Sequence, residues 1–457
     1  MDGQTHPFTP PAPTPRSTPP SLLEMFKIVY RNPIELWGNP SYNEPYVYIR
    51  SGIGGPLLIA NDPDLIRHIL VDQAKSYKMA RVRQLILRPI LKDGLLTAEG
   101  AVWKRSRKAM APVFTPRHIH GFAQSMLKTT NEFVERYETL DEPFDMAHHM
   151  TELTFDILAD TLFSGQVVGN PDEFGEQVEE LFETASRVDP LDIIGAPEWM
   201  PRVARWRGRK PLKFFRDLVR KTIDARSDMI SKGENVPDDF MTLLLQAEGE
   251  DGLSRQEIED NVITFIGAGH ETTARALGWT IYLLANSPSE RAKVEEETQR
   301  VVSGIEDPLK WLEAMPYTRA AFEEAMRLYP PAATISREAT SDIEWNGMTI
   351  TKGTQAMIMP WTLHRHRKYW DEPDVFKPER FLPGNRDKLN KYQYLPFGAG
   401  PRICIGASFA LQEAVIALGI LLSRYRFDMA PGAKDPWPVQ KLTTQPEGGL
   451  QMVASKR

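Results

Sequence analysis

One stretch constrains the fold more than any other. From Ser254 to Asn286 the chain reads SRQEIEDNVITFIGAGHETTARALGWTIYLLAN. Ser254-Arg255-Gln256-Glu257 is a capping box, in which the Ser hydroxyl and the Glu carboxylate each satisfy a free amide of the first turn. Asn286-Ser287-Pro288 supplies the stop. The helix between them is about 32 residues, roughly 48 Å at 1.5 Å per residue. A helix this long and this apolar has to run through the centre of a large core. The 457-residue chain, 41% hydrophobic and 25% charged, can supply that core. Disordered and fibrous classes are excluded by the same composition.

The remaining patterns arrange themselves around this helix. Residues 1–20 are Pro-rich and read as an extended, disordered tail, with 21–457 as a single domain without an internal linker. YVYIRSGIGGPLLIA, residues 46–60, predicts a hairpin, and Asp62-Pro63 opens a helix over DLIRHILVD. Helical spacing dominates from about Val102 to Leu328, with a clear helix over 316–331 closed by Pro330-Pro331. Short β patterns follow in IEWNGMTI and TQAMIMP, and ASFALQEAVIALGILLSRY forms a last helix. The expected fold class is mainly α with a smaller β portion, the latter within roughly 40–65 and 330–385.

Composition also limits partners. The net charge of −6 gives no broad basic field, so no nucleic acid is expected. No run of about 18 apolar residues occurs, the longest being Ala414–Leu422, and the N-terminus has no apolar core for a leader or anchor. The expectation is a cytoplasmic monomer that meets no membrane.

The chain holds a single cysteine, Cys404, so neither an internal disulfide nor a multi-thiolate metal cluster can form. A lone Cys is ordinarily a small buried hydrophobe. Its neighbours point elsewhere: Phe397-Gly398-Ala399-Gly400-Pro401-Arg402-Ile403-Cys404-Ile405-Gly406. A thiolate that ligates haem iron needs donors for its charge, close approach of backbone to the porphyrin, and exclusion of water. Two Gly and a Pro permit a tight turn with amides aimed at sulfur. The last helix starts just after Cys404, so its positive end supports the thiolate. Gly406 leaves room for the ring, Phe397 can pack beside the ligand, and Arg402 can reach a propionate. Phe397, Gly400, Arg402, Cys404 and Gly406 would match F-x-x-G-x-R-x-C-x-G by chance on the order of 10⁻⁴ times in such a chain. This run resembles the haem loop of the cytochrome P-450 family, the haem-thiolate monooxygenases.

Within the long helix, Ala268 and Thr272 share a face, and the Thr272 hydroxyl can bond the Ala268 carbonyl, opening a groove. Beside it Glu271 is an acid expected to connect to solvent. Activating O₂ needs protons delivered while the pocket stays dry, and an acid beside an alcohol makes a relay. Ala268-Gly269-His270-Glu271-Thr272 resembles the family's A/G-G-x-D/E-T motif, with Glu271 and Thr272 as acid and alcohol. His270 holds a variable position, and Thr273 reads as structural.

Further motifs stand in the family's order. Glu324-Ala325-Met326-Arg327 and Pro378-Glu379-Arg380-Phe381 resemble its Glu–Arg–Arg network, which implies that Glu324, Arg327 and Arg380 pin the loop before the haem ligand. Trp103 and Arg107 match its W-x-x-x-R pair. With Arg337, Arg402 and His364 they are implied propionate partners, while His366 reads as a surface residue. Lys104, Arg105 and Lys108 fall off that face and form a local basic patch.

The resemblance covers nearly the whole chain and implies the P-450 fold, a long helix over haem b (iron protoporphyrin IX), and insertion of one atom of O₂ into a hydrophobic small molecule. Electrons would come from a ferredoxin-type donor with its NAD(P)H reductase, docking on the basic patch. Peroxygenase or isomerase chemistry on a thiolate haem, and a non-catalytic haem sensor or electron carrier, are the other readings. Substrate contacts are expected from Ala332–Ile335 and from Val262, Ile263, Phe265 and Ile266, with access elements in Met79–Leu95 and Leu181–Met200.

Overall fold

In the computed structural model, residues 7–51, 55–140, 142–165, 208–249 and 252–457 are described, and structural statements refer to these. Helices of ten or more residues are α1 (Leu22–Arg31), α2 (Arg81–Leu91), α3 (Gly100–Met110), α4 (Pro116–Val134), α5 (Met146–Phe163), α6 (Arg209–Ser231), α7 (Arg255–Ala285), α8 (Pro288–Gly304), α9 (Pro316–Leu328) and α10 (Ala407–Arg424). The long central helix is α7. Ser254 Oγ accepts from the Glu257 amide at 3.2 Å, and the Glu257 carboxylate accepts from the Ser254 amide at 2.8 Å, completing the capping box. Asn286 ends the helix.

Nearly every face of α7 is buried, against α5, α6, α9 and α10. Polar residues on it answer to specific partners: Asp260 and Glu259 take the buried Arg216 of α6, each at 3.0 Å. The other core helix is α10. It is long and apolar enough to cross a bilayer by length and composition. Its residues from Gln412 to Leu422 are instead all buried among α4, α8 and α9, which makes it a core helix of this fold.

The main sheet is five-stranded in the order β1-β2-β8-β5-β3, from β1 (Tyr46–Ile49), β2 (Leu57–Ala60), β3 (Tyr77–Met79), β5 (Ile335–Ala339) and β8 (Gln355–Ile358). β1 and β2 form the expected hairpin, with Tyr46 opposite Ala60, and β2 pairs parallel with β8. β6 (Ile343–Trp345) and β7 (Met348–Ile350) form a separate hairpin. The expected β portion needs correction at three places, of which the first is β3, beyond the expected 40–65. No strand lies in 359–385, and a further group follows α10. There β9 (Tyr425–Met429) and β12 (Gln451–Lys456) join β4 (Phe144–Asp145), while β10 (Pro438–Gln440) pairs with β11 (Thr444–Pro446).

The N-terminal tail is also corrected. Residues 7–20 run extended, as Pro-rich composition dictates, but they are docked. The Phe8 ring packs edge-on against Tyr282 and its carbonyl accepts from the Phe376 amide at 3.0 Å. The buried Tyr329 hydroxyl donates to the Pro11 carbonyl at 2.8 Å, and Arg16 pairs with Trp37 and Asn39 through its backbone. Proline explains this behaviour: with φ already fixed, little entropy is lost when such a segment is laid down. Deleting residues 1–20 should lower the unfolding free energy by at least about 1–3 kcal/mol, the cost of the orphaned Tyr329 hydroxyl alone. An unchanged denaturant midpoint would show that the tail contributes nothing.

Candidate active site

Cys404 sits in a loop whose shape is set by backbone bonds. Its amide donates to the Phe397 carbonyl at 2.9 Å, and the Ile403 amide to Gly400 at 3.1 Å. Gly400 has φ +74°, and a Cβ there would stand 1.9 Å from the Leu70 carbonyl oxygen, so this position admits only glycine. Arg107 Nη1 donates to the Ile403 carbonyl at 2.9 Å, tying α3 to the loop. Burial pushes the Cys404 thiol up, while the Gly406 amide and the Arg107 guanidinium pull it down. The exposed surface of Cys404 faces an internal cavity, not the outside of the molecule.

That cavity, about 340 Å³, is a cleft between two walls. One wall is the Cys404 loop with the start of α10: Phe397, Gly398, Cys404, Gly406, Phe409 and Ala410. The other is α7, through Phe265, Ala268, Gly269, Thr272, Thr273 and Ala276. The Thr272 hydroxyl donates to the Ala268 carbonyl at 2.9 Å, as its spacing predicts. Gly406 borders the cleft directly, and its imagined Cβ meets only Phe114 at 4.0 Å, so a side chain would enter the cleft itself.

Four guanidiniums line one side: Arg83, Arg107, Arg337 and Arg402. Arg402 donates to the Ala98 carbonyl and to Glu99, both at 2.7 Å, and lies over the Trp103 ring at 4.8 Å. Arg337 is pushed down to about 10 by burial and by its neighbours Arg83 and Arg402, with Glu99 opposing. Burial and Arg402 push Arg83 down as well, and its Nε is buried without a partner. The cluster therefore holds more cationic donors than anions. This is the environment that a pair of carboxylates would complete, and it fits haem propionates. Arg83 carries no motif signal, and sequence reading missed it.

Behind the loop lies the ion network. Arg327 makes two bonds to Glu324, Nε to Oε2 at 2.7 Å and Nη2 to Oε1 at 2.8 Å, with both side chains at 0% exposure. Arg380 Nε reaches Glu324 Oε1 at 3.4 Å, and the Lys377 amide donates to the same oxygen at 2.9 Å. Arg327 also donates to the carbonyls of His364, Pro373 and Val375.

Several expected contacts are redirected. His364 does not line the cleft. It is fully buried, and its Nε2 accepts from the Leu395 amide at 2.8 Å, so it braces the loop and cannot hold a propionate. Burial drives its pKa down to about 3, keeping the ring neutral. Glu271 is not open to solvent. Its carboxylate is buried, accepts from the Thr443 hydroxyl at 2.6 Å in the β10–β11 turn, and stands 3.9 Å from Arg275. It lies behind the cleft lining and not in it.

His270 is packed inside the fold, with Nδ1 2.6 Å from the Ile266 carbonyl, and His366 is buried against the Glu44 carbonyl and the Tyr369 ring, not on the surface. Val262, Ile263 and Ile266 are core residues, whereas Phe265 and Thr264 reach the cleft. Ala332, Thr334 and Ile335 line it as expected, as do Met79 and Leu95. Leu181–Met200 lie outside the described residues. Lys104 and Lys108 are exposed, while Arg105 is drawn to Glu257 at 2.6 Å.

With this geometry the comparisons agree. A family model described as Cytochrome P450 matches residues 44–452. The chain is 30% identical to Cyclooctatin synthase of Streptomyces melanosporofaciens, over 94% of this chain and 93% of that one. It is 30% identical to Leukotriene-B4 omega-hydroxylase 3 of Mus musculus, covering 86% and 79%. A crystal structure of the cytochrome P450DA heme domain superposes with a TM-score of 0.78 at 26% identity, covering 91% and 90%. A haem-binding fold with a cysteine facing its central helix defines the class, and the chain belongs to the cytochrome P450 family. It is a monooxygenase-type oxidoreductase that uses a haem-iron cofactor.

Two outcomes follow. Gly400→Ala strains the loop by about 1–3 kcal/mol, so haem retention should weaken by about 5- to 150-fold, read as haem per chain after dialysis against apomyoglobin. Full occupancy would contradict the role given to Leu70 and Gly400. The His364 pKa is lower folded (about 3) than unfolded (6.5), so its contribution is present above about pH 6.5 and is lost as pH falls toward 3. Stability should drop by up to about 1.4 kcal/mol per pH unit in that window. His364→Gln, which can still accept from Leu395, should flatten the slope of unfolding midpoint against pH.

Proposed function

We propose that this chain binds haem b through Cys404 and oxidises a hydrophobic small molecule, hydroxylating or epoxidising it with electrons from a separate ferredoxin-type donor. The observation that carries this reading is the Thr272 hydroxyl, held on the Ala268 carbonyl and facing the cleft across from Cys404. When bound, haem iron activates O₂ so that one atom enters a C–H or C=C bond and the other leaves as water, consuming two electrons and two protons.

The residues divide that work. Cys404 supplies the thiolate, supported by the Gly406 amide and Arg107. Arg83, Arg107, Arg337, Arg402 and the Trp103 indole hold the propionates. Glu324, Arg327 and Arg380 fix the segment that delivers the loop. Thr272 holds a water and moves its proton at Oγ1, while Glu271, on the Thr443 hydroxyl, is the acid behind it. Phe114 stacks on Phe265 at the cleft with Phe240 tilted against both, and the three rings exclude water. The apolar lining favours a fatty acid, terpenoid or aromatic.

The single cysteine is committed to iron, which supports a non-covalently held haem b. Exposed Lys104 and Lys108 beside the Arg107 contact favour an acidic donor such as a ferredoxin, with an NAD(P)H reductase behind it. A cytoplasmic monomer is consistent with this arrangement.

Thr272→Ala should leave haem content unchanged and divert electrons from product to hydrogen peroxide by about 10-fold or more. Undiminished coupling would favour the peroxygenase or isomerase reading. A screen for ligands that shift the haem spin state should select apolar compounds. If only polar ones shift it, the substrate class is wrong.

A further inference from the structure

Behind the α7 wall of the cleft stand three oxidisable rings that no step of the proposed reaction uses. Trp279 lies one helical turn past Ala276, and Tyr329 stands three positions past Met326; Ala276 and Met326 both line the cleft. The two rings are stacked, with centroids 3.8 Å apart and planes 16° from parallel. Tyr282 follows Trp279 on α7 and meets its ring edge-on at 5.7 Å. All three side chains are fully buried. The array has an exit. Tyr282 Oη donates to Asp435 Oδ1 at 2.9 Å, and Asp435 is exposed between β9 and β10.

Packing alone asks for less than this. A buried Trp or Tyr needs a partner for its polar tip, and Trp279 and Tyr329 meet that need with the carbonyls of Thr444 at 3.2 Å and Pro11 at 2.8 Å. A carbonyl accepts a hydrogen bond but does not take the proton. Of the three, Tyr282 is bonded to a carboxylate, which does. The difference bears on oxidation. An indole can lose an electron and keep its proton, whereas a phenol that loses an electron becomes a strong acid and passes its proton to a base in contact with it. Burial, with Tyr329 and Asp435 adding to it, holds the Tyr282 phenol far above its ordinary range, so at rest the proton stays on Oη. From cleft to surface the order is stacked indole, phenol, carboxylate. That is the order in which an electron and then a proton can be given up.

We propose that Trp279, Tyr282 and Asp435 form an escape route for oxidising equivalents, which protects the cleft when oxygen has been activated and no substrate is in reach. This rests on the reading of the cleft as the place where O₂ is activated. In the first transfer one electron leaves the Trp279 indole for the oxidised cofactor, and the stacked Tyr329 ring spreads the positive charge left behind. Tyr282 then returns an electron to Trp279 as its O–H bond breaks and the proton passes to Asp435. A one-electron reductant in solution, of the ascorbate or thiol class, gives an electron to the Tyr282 phenoxyl through the Asp435 surface, and Asp435 hands the proton back. The side chains end as they began, and the reductant has lost one electron. Two such passes, with two protons from water, let the unused oxygen atom leave as water. A protein that holds an oxidising cofactor also has to exclude its competing reactions, and self-oxidation is one of them.

The test treats substrate-free holoenzyme with a peracid, which supplies an oxygen atom and both oxidising equivalents without the donor protein. It compares the native chain with Tyr282→Phe, Asp435→Asn and a control at the exposed Tyr30, Tyr30→Phe. Freeze-quenched native protein should give a tyrosyl radical in its electron paramagnetic resonance spectrum, narrowed by ring-deuterated tyrosine. Tyr282→Phe should lose that signal, bleach its haem several-fold faster and gather oxygen adducts on Trp279 in peptide mass spectra. Asp435→Asn should weaken the signal and speed bleaching in the same direction, while Tyr30→Phe matches the native protein. Ascorbate should slow bleaching in the native protein and not in Tyr282→Phe. A radical and a bleaching rate unchanged in Tyr282→Phe and Asp435→Asn overturn the route while O₂ activation stands. If the native protein gives neither radical, bleaching nor oxidised substrate, the activation reading fails and the route with it. Should Tyr282→Phe not take up haem, Asp435→Asn decides: native signal and native bleaching there overturn the proposal.

Discussion

The buried Glu324 carboxylate is the point on which the site depends. It accepts two fully buried bonds from Arg327 and, partly buried, one from Arg380 and one from the Lys377 amide. Arg327 extends the same unit to three carbonyls between His364 and Val375. A long segment without strands is thus fixed to α9 by charge-assisted bonds. Such a pair adds little net stability over apolar packing, but removing one member strands a charge and costs about 3–5 kcal/mol. Its value is positional. The segment it fixes begins at His364, His364 takes the Leu395 amide, and Leu395 begins the turn toward Cys404.

Much of this was legible in the sequence where the chemistry is local. The capping box, the Thr272–Ala268 bond and the glycine turn all use residues within a few positions of one another, so spacing alone determines them. The Glu324–Arg327 contact is one helical turn, and its completion by Arg380 followed from a familiar order of motifs. Long-range pairings were hidden. Thr443 meets Glu271 across 172 positions, and no pattern marks it. Arg83 lies in R-V-R on an ordinary amphipathic helix, and only the fold turns it to the cleft. His364 shows the converse failure: its position suggested a donor to propionate, whereas its lone pair is spent on a backbone amide. The C-terminal strands were missed because Arg424 passes into Tyr425 with no breaking residue.

The cleft also explains why haem and fold must be coupled. Four guanidiniums lie along one side of it with Glu99 as the anion beside them, and burial lowers the proton affinity of each. Such a cluster is self-repelling until carboxylates arrive. Elsewhere the cleft is largely apolar, with the rings of Phe114, Phe240 and Phe265 packed at its lining. A flat molecule with two carboxylates on one edge would match this polarity, with the guanidiniums holding its carboxylates and Cys404 its metal. Binding that relieves cationic repulsion and fills an apolar slot stabilises the native state by mass action. The site would therefore orient such a cofactor by electrostatics at one edge and by shape elsewhere.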